Sequence, residues 1–276
     1  MRLALGIEYD GSAFHGWQRQ NGLRTVQECI EKALARVANQ AITVVVAGRT
    51  DAGVHAGGIG DGIGIGGQVA HFDPPVYRPQ HAWLMGANCY LPADIAIQWI
   101  CAVPEDFHAR FSATARHYRY FIYNARTRPA LNRTRITWER RQLNITPMRL
   151  AAQYLIGTHD FSAYRAQGCQ AKTPIRTLYQ LAINQEGRIF TIDAIANAFL
   201  HHMVRNLVGV LVTIGAGEHP PGWAGDILAS LDRGQGGVTA PAEGLHLVGV
   251  EYPARFKIPP QQPWDVTGLT KHPSSM

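Results

Sequence analysis

Apolar and polar positions alternate at the start of the chain, where Leu3, Leu5, Ile7 and Tyr9 interleave with Arg2, Ala4, Gly6 and Glu8. That is the period of a half-buried strand, and the turn formers Asp10 and Gly11 end it. Val26, Ile30, Ala33, Leu34 and Val37 then recur on one helical face. With Thr25 and Glu28 in capping-box spacing, they predict a helix over 25–40. An unbroken apolar run predicts a strand over 42–47, and further strands are predicted over 68–72, 95–103 and 116–124, with a helix over 79–88. Residues 125–144 have no clear period and read as a loop or arm. Beyond them a helix is predicted from Thr146, with Pro147 at its first position, to Gly157. A hairpin over 176–184 and 188–196, a long helix over 198–214, a shorter one over 220–231 and a closing strand over 245–252 complete the pattern. Each half mixes helices with strands of hairpin spacing. The expectation is an α+β fold of two related lobes, a mainly antiparallel central sheet flanked by helices, divided as 1–108 and 109–265 with a tail over 266–276.

Against this pattern the stretch VVVAGRTDAGVH, residues 44–55, stands out. An apolar strand runs into Gly48 and delivers Arg49, Thr50 and Asp51 at its end, with Gly53 following. A carboxylate there is presented at an open edge, and Arg49 can support it by charge-assisted hydrogen bonding; Asp and Gly also form turns for ordinary reasons. The loop after the first strand carries Trp17, Gln18, Arg19 and Gln20 in a row. Trp17 and Arg19 are candidates for stacking on and hydrogen bonding to a ligand, and a Trp beside Gly is also a packing plug. On the 198–214 helix, Arg205 is flanked by apolar rows and wants an acid, for which Asp51 is a candidate; a surface arginine is the alternative. His201 and His202 are adjacent, so on a helix they diverge, and no H-x-x-x-H exists. Packing or RNA contact is the reading for them. Gly62, Gly64 and Gly67 match G-x-G-x-x-G in form, but a short strand follows and no helix opens there, which excludes a dinucleotide site.

Charge composition changes the picture further. Only four of the 26 basic residues are Lys, and between His108 and Arg149 ten arginines (Arg110, Arg116, Arg119, Arg126, Arg128, Arg133, Arg135, Arg140, Arg141 and Arg149) face one acid, Glu139. Phe111, Tyr118, Tyr120, Phe121, Tyr123 and Trp138 are interleaved with them. Guanidinium forks among aromatics suit a polyanion with unpaired bases, and an Arg-rich solvated loop is the plainer alternative. The four cysteines are scattered without C-x-x-C spacing, which argues against a zinc site or a disulfide framework. No run is long enough to span a bilayer, and no signal peptide precedes the first strand, so a soluble cytoplasmic protein is expected.

The segments EYDGSAFHGWQRQ, AGRTDAGVHA, QVAHF, DFHARFSATARHYRYFIYN, FLHHMVRNLVG and APAEGLHLVGVEYP, in this order from about Leu3 to Tyr252, together resemble the tRNA pseudouridine synthase A family. The resemblance implies the pseudouridine synthase fold and isomerisation of uridine to pseudouridine at positions 38, 39 and 40 of the tRNA anticodon arm. It implies no cofactor or metal, and a homodimer with one tRNA reaching across both subunits. By motif position it makes Asp51 the catalytic aspartate, Arg49 its motif neighbour, Arg205 the arginine that pairs it, Tyr118 the tyrosine beside the target base and Leu245 an apolar residue of the pocket. Trp17, Arg19 and His201 remain substrate-contact candidates from the residues themselves. One departure is an insertion of about nine residues, roughly 57–65, beside the Asp51 loop, expected to be tolerated as a surface loop. A catalytically silent tRNA-binding protein, and a synthase acting on another RNA, are the competing readings.

Overall fold

A computed structural model describes residues 1–57 and 67–259 of the chain. The first strand, β1 (Arg2–Tyr9), forms as its alternation predicts, but it is buried on both faces. On its second face Ala4 and Gly6 are buried between half-buried Arg2 and Glu8, and the indole of Trp99 lies directly over Gly6. Helix α1 (Val26–Ala38) follows. Thr25 stands at its N-cap, fully buried, but its hydroxyl makes no side-chain cap hydrogen bond, and Glu28 turns instead to Lys32 at 2.7 Å. The expected capping box is therefore not formed. Strand β2 is only Val45–Val46, not 42–47. The amide of Val44 is taken by the Glu31 carboxylate of α1 at 3.0 Å, so the ladder begins one residue later.

The short strand β3 (His55–Ala56) was not predicted, whereas β4 (Gln68–Phe72) and β5 (Ile95–Val103) match their patterns and α2 (Gln80–Tyr90) lies between them. Strand β6 (Ala115–Asn124) also matches. Within the stretch expected to be an arm, Thr137–Glu139 forms β7, parallel to β6. Helix α3 (Ile145–Gln153) is capped by Asn144, whose side chain accepts from the Thr146 amide at 2.9 Å. Pro147 thus sits at the third helical position, still within the first turn where a missing N–H costs no helical bond. The helix stops at Gln153, and Gly157–Asp160 forms an unpredicted strand, β8. The hairpin of β9 (Ile175–Glu186) and β10 (Ile189–Ala196) is as expected. Helix α4 is Met203–Gly215, not 198–214, because His202 adopts the left-handed conformation at φ 60°. Helix α5 (Trp223–Ser230) and strand β11 (Leu245–Glu251) complete the described elements.

All eleven strands join one sheet in the order β2-β4-β1-β3-β11-β6-β10-β9-β8, with β5 on β1 and β7 on β6. The pairing is mainly antiparallel, which with the flanking helices makes the fold α+β. Strands from before residue 108 lie on one side of a seam and strands from after it on the other. The seam itself is β3 against β11, parallel, with His55 opposite His246 and Ala56 opposite Leu247. Because β3 follows Asp51 by four residues, the seam holds the Asp51 loop at the centre of the sheet. Helices α1 and α2 pack together on the first half, α3 and α4 on the second.

The seam is also a buried polar junction. The rings of His55 and His246 stack at 4.5 Å between centroids and 18° between planes. His55 Nδ1 accepts from the Gly11 amide at 3.0 Å, which leaves its Nε2–H to donate to the Thr134 carbonyl at 2.8 Å. His246 Nε2 donates to the Arg135 carbonyl at 2.9 Å. Burial, together with the neighbouring ring, pushes the His246 pKa down to about 3. Burial also lowers that of His55. Both rings stay neutral and pin the root of the Arg-rich segment to the seam.

Candidate active site

The Asp51 loop is held from several directions. Gln68 Nε2 donates to the Gly48 carbonyl at 2.8 Å, and the Arg116 guanidinium to the Ala47 carbonyl at 3.1 Å. The Tyr9 and Thr50 hydroxyls hydrogen bond at 2.7 Å, and the Trp17 amide donates to the Thr50 carbonyl at 3.0 Å. Beyond Asp51 the chain turns, with the Val54 amide on the Asp51 carbonyl at 3.2 Å. The main chain around the carboxylate is thereby fixed while the Asp51 side chain stays 21% exposed.

Arg205 comes to that carboxylate from the first turn of α4, with Nη1 at 3.3 Å from Asp51 Oδ2. It has no freedom to wander. Its Nε donates to the Ala240 carbonyl at 2.7 Å, and the Ala240 amide returns a bond to the Arg205 carbonyl at 3.1 Å. This clamp requires the 238–240 segment to lie against α4. Gly209 permits that, since a Cβ there would meet the Val238 carbonyl oxygen at 1.8 Å. The sequence expectation that Arg205 seeks an acid is met by Asp51. The expectation that Arg49 supports Asp51 is not: Arg49 is exposed and reaches Gln170 at 3.5 Å.

The helical geometry assumed for His201 and His202 is also corrected. Both precede α4, and the left-handed turn at His202 swings the two rings together, 4.1 Å between centroids. Their Nε2 atoms each lie 3.4 Å from Asp51, His201 from Oδ1 and His202 from Oδ2. Burial lowers the pKa of His202, against the pull of Asp51. The ligand atoms of Asp51, His201 and His202 all lie within 4.8 Å of one another. His202 was missed as a site residue; the signal was the HH pair immediately before the helix, unreadable without knowing where the helix starts.

Tyr118 lies in β6 on the same sheet face as Leu245 and Leu247 of β11, since Leu247 is opposite Tyr118 and Leu245 opposite Tyr120. Its ring stands edge-on to Phe199 at 5.1 Å. Burial raises the Tyr118 pKa, and the charges of Tyr9 and Asp51 add to it, which places the hydroxyl within electrostatic reach of the aspartate. Leu245 is 5% exposed. The opposite face of β6 carries Arg119, bonded to Asp193 at 2.6 Å, and Phe121 against His246.

Two other expected contacts change character. Trp17 is 1% exposed and packs at 6.1 Å from Tyr9, so it is a plug beneath the Asp51 loop and cannot stack on a base. Arg19 is exposed and paired with Glu31 of α1. The arginine run also divides. Arg116 and Arg119 are buried structural groups, Arg116 bonding four main-chain carbonyls from Ala47, Arg110, Ala113 and Asn197. Arg135 pairs with Asp10, and Arg141 with Glu139 and Glu218. Arg126, Arg128, Arg133 and Arg140 stand exposed and outside any ion pair among the described residues. The polyanion surface is therefore narrower than the sequence suggests.

The insertion at 57–65 falls almost wholly outside the described residues, but its flanks do not. The Gly57 amide donates to the Leu247 carbonyl at 2.9 Å. A Cβ on Gly67 would lie 2.3 Å from the Gly57 nitrogen and 1.9 Å from that same carbonyl oxygen. The chain leaves the sheet and rejoins it at one point.

A family model described as tRNA pseudouridine synthase matches residues 6–112 and 151–253. The chain is 54% identical over 259 residues to the tRNA pseudouridine synthase A of Alcanivorax borkumensis, covering 94% of each. It is 55% identical over 258 residues to that of Coxiella burnetii, covering 94% of this chain and 95% of the relative. Against that of Pseudomonas aeruginosa it is 54% identical, covering 94% and 88%. On these matches, this chain belongs to the tRNA pseudouridine synthase family.

Proposed function

We propose that this chain isomerises uridine to pseudouridine at positions 38, 39 and 40 in the anticodon stem and loop of tRNAs. It does so as a cytoplasmic homodimer of two-lobed subunits divided near residue 108, without a cofactor. The observation that carries this reading is the Asp51–Arg205 pair, set into the sheet seam beside Tyr118.

The reaction breaks the bond between uracil N1 and the ribose C1′, turns the base, and joins C5 to C1′; the C5 proton leaves and N1 gains one. No atom is added or removed. The step needs a carboxylate able to attack covalently or to accept a proton, inside a pocket that retains the detached base. Asp51 supplies the carboxylate, and Arg205, locked by Ala240, positions it. Tyr118 and Leu245 form the apolar wall beside the base. A stem uridine must first leave its helix at a cost of a few kcal/mol, roughly, in stacking and pairing. Phosphate contacts from Arg126, Arg128, Arg133 and Arg140 offset that cost. Arg49, exposed at the mouth of the loop, is free to meet the RNA once Gln170 releases it.

Mapping pseudouridines in tRNA from cells with and without this protein tests the proposal. Loss at 38, 39 and 40, restored by re-expression, is the expected result. Unchanged modification there would support the silent binding protein instead, and loss in another RNA would support the other-substrate reading.

A further inference from the structure

We propose that Asp51, His201 and His202 form a binding site for a first-row divalent transition-metal ion such as Zn²⁺, and that its occupancy blocks the active site. The three donor atoms are a carboxylate oxygen and two imidazole Nε2 atoms, drawn from two segments 150 residues apart and lying within 4.8 Å of one another. A tetrahedral ion with metal–ligand bonds of about 2.0–2.2 Å needs donors about 3.3–3.6 Å apart. His201 Nε2 lies 3.4 Å from Asp51 Oδ1, and His202 Nε2 lies 3.4 Å from the other oxygen, Oδ2.

The donor set selects the ion. Two imidazoles with one carboxylate suit Zn²⁺, Ni²⁺, Co²⁺ or Cu²⁺, whereas Mg²⁺ prefers all-oxygen ligation and holds its water. The Mg²⁺ that accompanies folded tRNA is therefore not a competitor for this site. Access is open, with His201 46% and His202 28% exposed at the side chain, which leaves room for water to complete the coordination. Arg205 stands on Oδ2 and repels a cation there, so the ion takes Oδ1, which His201 already faces, and the His202 ring turns from Oδ2 to join it. It then ties up the carboxylate that the isomerisation requires. The binding claim rests on geometry alone; the inhibition claim rests also on the function proposed above.

The test is calorimetric titration of untagged, full-length, metal-free protein with Zn²⁺ and separately with Mg²⁺, followed by pseudouridine formation at the same Zn²⁺ concentrations. One Zn²⁺ per chain is expected, with no comparable Mg²⁺ site. Losing only an outer partner of a ligand costs about 10–100-fold in affinity. His201→Ala with His202→Ala, and separately Asp51→Asn, should therefore weaken Zn²⁺ binding by at least about tenfold each. Circular dichroism confirms that the variants fold. Inhibition of the wild type should follow the binding curve and reverse with a chelator. Zn²⁺ binding that is absent, or unchanged in both variants and so located among the other histidines of the chain, overturns the site. Binding with no effect on an active enzyme overturns the blockade. A metal-free protein that binds Zn²⁺ as expected but never forms pseudouridine overturns the functional reading and leaves the site standing.

Discussion

Arg205 and Asp51 are 154 positions apart, yet Arg205 Nη1 lies 3.3 Å from Asp51 Oδ2 while its Nε is fixed on the Ala240 carbonyl at 2.7 Å. One guanidinium therefore performs two tasks with two different nitrogens. A lysine offers a single point charge and cannot do both. Arg205→Lys is expected to fold but to lose about 10- to 100-fold in the rate of the chemical step, the equivalent of a charge-assisted hydrogen bond of about 1.5–3 kcal/mol. Single-turnover pseudouridine formation checks it, and an unchanged rate would remove Arg205 from the machinery.

Two buried histidines, His246 at the seam and His71 in β4, set an acid limit on stability. Burial above all holds the pKa of His246 down to about 3, and that of His71 to about 4, against an ordinary 6.5. Between these values the unfolded chain binds protons that the native state refuses. Stability is then complete above the ordinary histidine range and falls as pH drops from about 6.5, toward 4 for His71 and toward 3 for His246. His246→Gln, which keeps a donor for the Arg135 carbonyl, should flatten this slope in melting curves recorded across that range. An equally steep profile in the variant would place the sensitivity elsewhere.

Gly57 and Gly67 stand against each other and against the Leu247 carbonyl. Deleting residues 58–66 and joining these two glycines should leave the seam intact. Loop length alone changes closure entropy by about 1 kcal/mol or less here. The expected outcome is a melting temperature and activity close to those of the full chain, and loss of activity in a folded deletion variant would give the inserted residues a part in function.

The exposed arginines should govern salt dependence rather than chemistry. Replacing Arg126, Arg128 and Arg133 together by Ala should reduce the slope of log Kd against log salt by about 2 to 3, at roughly 0.7 to 0.9 for each phosphate that is no longer neutralised. Filter binding over a salt series measures it. An unaltered slope would move the tRNA path away from this segment.

Trp17 supports the loop from below. Trp17→Ala should cost about 3–5 kcal/mol of stability, as truncation of a buried aromatic does, and lower activity through loosening of the Asp51 loop. Chemical denaturation reads the first effect directly.

The long periodic elements were legible because their burial patterns are local: β4, β5, β6, β10 and α2 lie where hydrophobic spacing puts them. The errors cluster where a tertiary contact overrides a local rule. Glu31 takes the Val44 amide and shortens β2, and Glu28 pairs with Lys32 in place of closing the capping box. The short β3, β7 and β8 have too few residues for any period to show, and they exist because longer strands pair with them. In the site, Asp51 and Arg205 could each be singled out from sequence, one by its glycine-flanked strand end and the other by its apolar flanks. The His201–His202 approach to Asp51 could not, because it depends on a left-handed residue that starts α4 five positions later than the pattern suggests. Trp17 shows the converse: a residue type suited to stacking on bases is used to fill the core.

The proposed isomerisation at the seam turns on the Asp51 carboxylate. Single-turnover formation of pseudouridine in a tRNA anticodon arm by Asp51→Asn, measured beside its tRNA affinity, tests this most directly. The variant is expected to bind tRNA as the wild type does and to form no pseudouridine. Pseudouridine formed at the wild-type rate would contradict it.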